Sequence, residues 1–119
     1  MERDVEIGWA AGIFEGEGSI STINQRQRFT GWQCEVGMSD EDTVRKFATI
    51  IGVGRLYGPY ERPLTAKGTK RKPIFLWKVT DQEGVLAFLS IMLPHLSVRR
   101  LARALECLAD MIVQKPYIQ

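Results

Sequence analysis

Two carboxylates, Glu15 and Glu17, lie two residues apart in the glycine-rich string Gly12-Ile13-Phe14-Glu15-Gly16-Glu17-Gly18. Hard divalent cations take carboxylate and carbonyl oxygens, and Mg²⁺ needs only one or two protein carboxylates when water and phosphate complete its shell. The string must sit at the end of a helix. Asp4 is placed to cap a helix starting near Val5, and Gly18 to end it. A carboxylate in the last turn meets the negative pole of the helix dipole, an unfavourable position that a nearby cation relieves. Glu17 is therefore a candidate metal ligand, against the simpler reading of an exposed helix-end carboxylate. The same helix carries Ile7, Trp9, Ile13 and Phe14 but also Gly8, Ala10, Ala11, Gly12 and Gly16. Glycine inside a helix costs about 1 kcal/mol relative to alanine. Several of them call for a compensating contact, usually the close approach of another backbone.

The 119 residues suffice for one domain with one hydrophobic core, and 45% apolar with 25% charged residues is ordinary globular composition. No apolar run is long enough to span a membrane, and the N-terminal residues lack a secretory pattern, so an intracellular, cytoplasmic protein is expected. Cys34 and Cys107 lie far apart within apolar patterns and read as reduced, buried thiols. The single histidine, His95, forms no standard zinc spacing with them. The formal charge is only +2, but Gly18 to Thr80 holds eleven basic side chains against five acidic ones. Such a bias suggests a polyanionic partner.

The elements that must position these groups follow from periodicity. Ser19 to Gln27 reads as a strand, with Ile20 and Thr22 on one face and Ser21, Ile23, Gln25 and Gln27 on the other. Phe29-Thr30-Gly31 is read as a turn, after which Trp32, Cys34, Val36 and Met38 alternate with Gln33, Glu35 and Gly37. Ser39 is expected to cap a helix with apolar face Val44, Phe47, Ala48 and Ile51, stopped by Gly52 and Gly54. Arg55 to Tyr60 and Ile74 to Thr80 read as strands flanking a basic loop, Pro63 to Pro73. Asp81 caps a third helix broken at Pro94, and Ser97 a last one, in which Val98, Leu101, Leu105, Leu108 and Ile112 recur at helical spacing. The class is α+β, with two hairpins forming a four-stranded antiparallel sheet and helices on one face. Its open face, polar and basic, is a candidate nucleic-acid platform.

Trp9-Ala-Ala-Gly-Ile-Phe-Glu-Gly-Glu-Gly-Ser-Ile20 resembles the signature helix of the LAGLIDADG homing endonucleases, with Ala10 to Gly18 at the nine motif positions. The αββαββα order is similar to that family's half-domain and covers nearly the whole chain. Ile51-Gly-Val-Gly54 and Leu93-Pro94-His95-Leu96 resemble its later segments. The resemblance implies a homodimer of one-motif chains, with motif helices side by side through the small face at Gly8, Ala11, Gly12 and Gly16, and Glu15 is read as capping a helix end or hydrogen-bonding at that interface rather than as a metal ligand. It implies Mg²⁺, or another divalent ion such as Mn²⁺, held by Glu17 and the carbonyl of Gly16. It implies a catalytic role for Arg99, where lysine is commoner. The family's polar residue at the end of the second strand orders attacking water; Met38 or Ser39 falls there. The implied activity is site-specific cleavage of double-stranded DNA. The alternative is a non-cleaving DNA-binding regulator or an RNA-splicing maturase, and the intact acids Glu15 and Glu17 favour cleavage. A domain without a nucleic-acid partner would leave the basic loop unexplained.

On that reading, parity along the strands puts Ser21, Ile23, Gln25, Gln27, Gln33, Glu35, Arg55, Tyr57 and Lys78 on the DNA-facing side. Gln and Arg make bidentate contacts to base edges. Arg26 and Arg28 at the hairpin, with Lys67, Lys70, Arg71 and Lys72 in the loop, are expected to hold phosphates. Trp9, Trp32 and Trp77 are expected in the core or an interface rather than as base-stacking platforms.

Overall fold

The computed structural model describes residues 2–114. Its elements run α1 (Glu2–Glu17), β1 (Gly18–Gln25), β2 (Arg28–Met38), α2 (Glu41–Ile51), β3 (Arg55–Tyr60), β4 (Ile74–Val79), α3 (Gln82–Met92), a 3₁₀ turn (Leu93–His95) and α4 (Val98–Gln114). The four strands form one antiparallel sheet in the order β1-β2-β4-β3, so the two hairpins join through β2 and β4.

The period-two pattern decides which side of the sheet is covered. Trp32, Cys34 and Val36 of β2 and Trp77 and Val79 of β4 are buried, in one cluster with Phe14 of α1, Phe47 of α2 and Phe88 of α3. Aromatic edges meet at its centre: Phe14 and Phe88 at 4.9 Å, Phe47 and Trp77 at 4.9 Å, Trp77 and Phe88 at 4.8 Å between ring centroids. The Trp77 indole N–H donates to the Val53 carbonyl at 2.8 Å and that of Trp32 to Asp110 at 2.7 Å, so neither ring buries an unpaired donor. Trp9 is half-buried against the core, with the Lys46 ammonium 4.2 Å from its ring centre. Cys34 and Cys107 are both free thiols with no exposed surface. No helix among the described residues is long and apolar enough to cross a membrane.

Local chemistry differs from expectation at four places. Helix α1 begins at Glu2, so Asp4 is an acid of its first turn, favourable to the dipole, rather than its cap. The first hairpin turns at Arg26-Gln27, both in the left-handed region (φ 52° and 63°), with Gln25 paired to Arg28. Phe29-Thr30-Gly31 lies instead within β2, where the register slips between Ile23 and Asn24. The two-residue turn matches strand twist even without its usual Asn-Gly. Asp40, not Ser39, occupies the cap position of α2; its carboxylate accepts from the Thr43 hydroxyl and makes no hydrogen bond to the helix backbone.

The fourth difference is the rotation of α4. Ala104, Cys107 and Met111 face the core, whereas Val98, Leu105 and Ile112 are 86%, 51% and 72% exposed. The helix is apolar on two sides. Its spacing identifies apolar stripes but not which of them the sheet covers.

Candidate functional site

Helix α1 ends at Glu17, and Gly18 begins β1 without an intervening loop. A Cβ at Gly18 would collide with the buried Phe14 ring, so only glycine allows so sharp an exit. Gly16 and Glu17 are exposed, and Glu17 makes no hydrogen bond or ion pair with the described residues.

Two residues before Glu17 the helix is tied down. The Glu15 carboxylate accepts from the backbone N–H of Ser97 at 2.7 Å and from its hydroxyl at 2.9 Å. Arg100 donates twice to the Glu15 carbonyl, from Nε at 3.2 Å and Nη2 at 3.0 Å. Its Nε also stands 3.5 Å from the Glu15 carboxylate. Burial raises the Glu15 carboxyl, but the Ser97 hydrogen bonds and the charges of Arg100 and Arg99 outweigh it and hold the group below its ordinary value. Glu15 therefore spends hydrogen bonds of its carboxylate within its own chain, on the N-terminal end of α4. Ala11 is only 4% exposed, covered largely within its own fold.

The outward face of α1 is carried instead by Val5, Gly8, Gly12 and Gly16, all exposed. A Cβ built on Gly8, Gly12 or Gly16 meets nothing within 4 Å. Nothing among the described residues requires glycine at these three positions, although each costs helix stability.

Arg99 is exposed on the first turn of α4. With Arg100, Ala102, Arg103 and Glu106 it lines a groove of about 470 Å³ whose other wall is Gly18, Ser19 and Ile20. Arg103 donates to the Ile20 carbonyl at 3.1 Å, stacks 4.6 Å from the Trp32 ring and pairs with Glu106 at 2.9 Å. The structure thus brings Arg99 beside the exit of the motif helix. Arg100, Arg103 and Ser97 were not among the expected site residues. The signal for the arginines was present as basic side chains on successive turns of a capped helix, but their partners are more than eighty residues away in sequence.

On the open side of the sheet, Ser21 pairs with Gln33, Glu35 with Lys78, and Lys78 with Arg55. Gln33 donates to the Ser21 hydroxyl at 3.3 Å, Lys78 lies 3.8 Å from the Glu35 carboxylate, and its ammonium is 5.7 Å from the Tyr57 ring centre. Ser21, Ile23, Gln33, Glu35, Arg55, Tyr57 and Lys78 therefore share one surface. Gln25 and Arg28 close the hairpin, and Arg26 and Gln27 are its exposed tip, so Gln27 does not continue the strand face as expected. At the other end of β2, Met38 packs against the core and leaves Ser39 as the exposed polar group.

The loop between β3 and β4 has its own internal frame. Thr65 N–H donates to the Thr69 carbonyl at 2.9 Å, Gly68 N–H to the Thr65 carbonyl at 2.8 Å, and Thr69 N–H to the Thr65 hydroxyl at 3.0 Å. Arg62 closes its base on the Lys72 carbonyl at 2.9 Å. Lys67, Lys70, Arg71 and Lys72 are all exposed on this frame.

A single chain presents one free carboxylate and the carbonyl of Gly16 at the exit of α1. Among the described residues there is no group of three or more His, Cys, Asp or Glu side chains able to hold a metal. An oxygen-only donor set of this kind suits a hard cation whose shell is completed by water, phosphate or a second copy.

No protein-family profile and no curated protein matches the chain. Solved structures do. The homing endonuclease I-CvuI, crystallised in complex with its target in the presence of Ca, aligns with a TM-score of 0.65 at 15% identity over 87% of this chain and 63% of that one. The group I intron-encoded homing endonuclease I-CeuI, complexed with DNA, aligns at 0.63 and 12% identity over 97% and 58%. The LAGLIDADG meganuclease I-CpaMI, bound to uncleaved DNA, aligns at 0.70 and 13% identity over 95% and 38%. The chain thus spans less than two thirds of the length of each of these three proteins. At such identities the likeness is one of architecture, and it extends over most of this chain. The chain has the fold of the LAGLIDADG homing endonucleases.

Proposed function

We propose that the chain is a LAGLIDADG homing endonuclease that acts as a homodimer and hydrolyses phosphodiester bonds of double-stranded DNA at a specific site, with Mg²⁺ or a similar divalent ion. The observation that carries this reading is the outward face of α1. Three glycines at 8, 12 and 16 with open space around them lead to the unpaired carboxylate of Glu17. No contact among the described residues of one chain uses that arrangement. Two such helices packed side by side would use the glycines for close approach and bring two Glu17 carboxylates together at the symmetry axis.

Hydrolysis requires water to attack phosphorus and the bond to the leaving sugar oxygen to break. Glu17 and the Gly16 carbonyl would hold the ion, and a bound divalent cation supplies an activated water and a stabilised leaving oxygen. The chain's own residues do the rest. Arg99, free at the mouth of the groove, would neutralise charge gathering on the phosphate. Gln33, Arg55 and Lys78, with Ser21, Glu35 and Tyr57, would face base edges from the open sheet. Arg26, Arg28 and the framed loop carrying Lys67 to Lys72 would grip phosphates and set the register of the duplex.

The test is cleavage of a library of duplex targets with Mg²⁺. Wild type is expected to cut a defined site, and Glu17→Gln to bind that site while cutting at least a hundredfold more slowly. Binding of duplex without cutting by wild type would favour a non-cleaving DNA-binding regulator instead. Normal cutting by Glu17→Gln would remove Glu17 from the metal site.

A further inference from the structure

We infer that Arg100 is the positioning residue of the site: with Glu15 and Ser97 it fixes the last turn of α1, and so sets where Glu17 and Arg99 stand relative to each other. The inference rests on the nuclease reading above.

Glu17 is flanked by Gly16 and Gly18, the residue type that resists bending least. The last carbonyls of a helix have no partner within it, and such an end frays unless something else bonds it. Here Arg100 donates two N–H groups to the Glu15 carbonyl at 3.0 and 3.2 Å. Its side chain is 13% exposed and its guanidinium lies 5.4 Å from the ring of fully buried Phe14. It is therefore held by packing as well as by hydrogen bonds.

The arrangement is reciprocal. Ser97 accepts the first backbone hydrogen bond of α4, from Leu101 N–H at 2.8 Å, and its own N–H and hydroxyl bind the Glu15 carboxylate. A cation thus closes the negative end of α1, and an anion closes the positive end of α4. Glu17 lies two residues past Glu15, and Arg99 lies between Ser97 and Arg100, the two α4 residues of the clamp. Arg100 is spent on the clamp, which leaves Arg99 as the arginine free to meet a phosphate.

The test uses the full chain with its cleavable duplex. Arg100→Ala is expected to raise the Mn²⁺ concentration for half-saturation of the protein–DNA complex, read by electron paramagnetic resonance, about tenfold. Its kcat should fall about a hundredfold, while KM for DNA stays within about twofold. Arg100→Lys, which can still reach the carbonyl with one N–H, should recover part of both losses. Ser97→Ala, a milder change that keeps the backbone bond to Glu15, should move both readouts in the same direction by about threefold, which covers the case of Arg100→Ala failing to fold. A loss of DNA binding and thermal stability with Mn²⁺ affinity unchanged would make Arg100 merely structural and overturn the inference, as would Arg100→Ala behaving like wild type. Wild type that neither cuts nor binds Mn²⁺ would overturn the nuclease reading, and this inference with it.

Discussion

Gly12→Ala separates the proposed pairing of α1 helices from a solitary role for the chain, because the two predict opposite signs. In the isolated protein a Cβ at Gly12 meets nothing within 4 Å. The substitution then only removes the backbone-entropy cost of glycine in a helix, a gain of about 1 kcal/mol. For a chain of this size that raises Tm by about 4 °C. If two copies meet across this face, each brings one new methyl into an interface built on the absence of side chains. Overpacking of this kind costs about 1–3 kcal/mol, which weakens the dimer by roughly fivefold to somewhat over a hundredfold. Sedimentation over a concentration series reads the association. Thermal melting at the lowest concentration reads the isolated fold. The expected pair of results is a more stable chain at low concentration and a weaker dimer at high concentration. A uniform rise in Tm with unchanged sedimentation would refute the pairing argument. Gly8→Ala repeats the test one turn away, and Ala11→Gly, at a position already covered within the protomer, should destabilise the chain at every concentration.

The basic loop and the thiols give independent checks. Replacing Lys67, Lys70, Arg71 and Lys72 together by alanine should flatten the dependence of log binding constant on log salt by about 0.9 for each phosphate no longer neutralised; an unchanged slope in fluorescence-anisotropy titrations would take the loop off the DNA. Cys34 and Cys107 have no exposed surface. Burial, with a neighbouring thiol, pushes Cys34 up, and burial with Asp110 and Glu106 outweighs Arg103 to push Cys107 up to about 11. Because both folded values lie above the ordinary thiol value, stability is full below that value and is lost as pH rises through it towards about 11. Urea midpoints should fall over this range, and less so in a Cys34→Ala, Cys107→Ala double variant; equal slopes would show that the thiols do not contribute.

Much of the fold was legible because single side chains state it locally. The alternation from Trp32 to Met38 and from Phe75 to Val79 encodes a strand with one buried face. Asp81 accepts the Gly84 N–H at 2.8 Å as a cap should, and Gly52 takes the left-handed conformation that ends α2. The motif at Ala10 to Gly18 was equally visible, since glycine in a helix is costly wherever it stands. The hairpin turn was misplaced because Arg26 and Gln27 adopt a conformation their side chains do not advertise.

By itself, then, the sequence determined the element order, the covered face of the central strands and the presence of a small-faced helix ending in acids, since each depends on residue type and short spacing. The tertiary structure alone decided how the helices are turned. It buried Ala11, exposed Val98, Leu105 and Ile112, and gave Glu15 to Ser97 and Arg100 while leaving Glu17 free. Rotation of a helix about its axis is settled by what packs against it, and here the deciding contacts join residues 82 and 85 positions apart. Periodicity within one helix cannot carry that information.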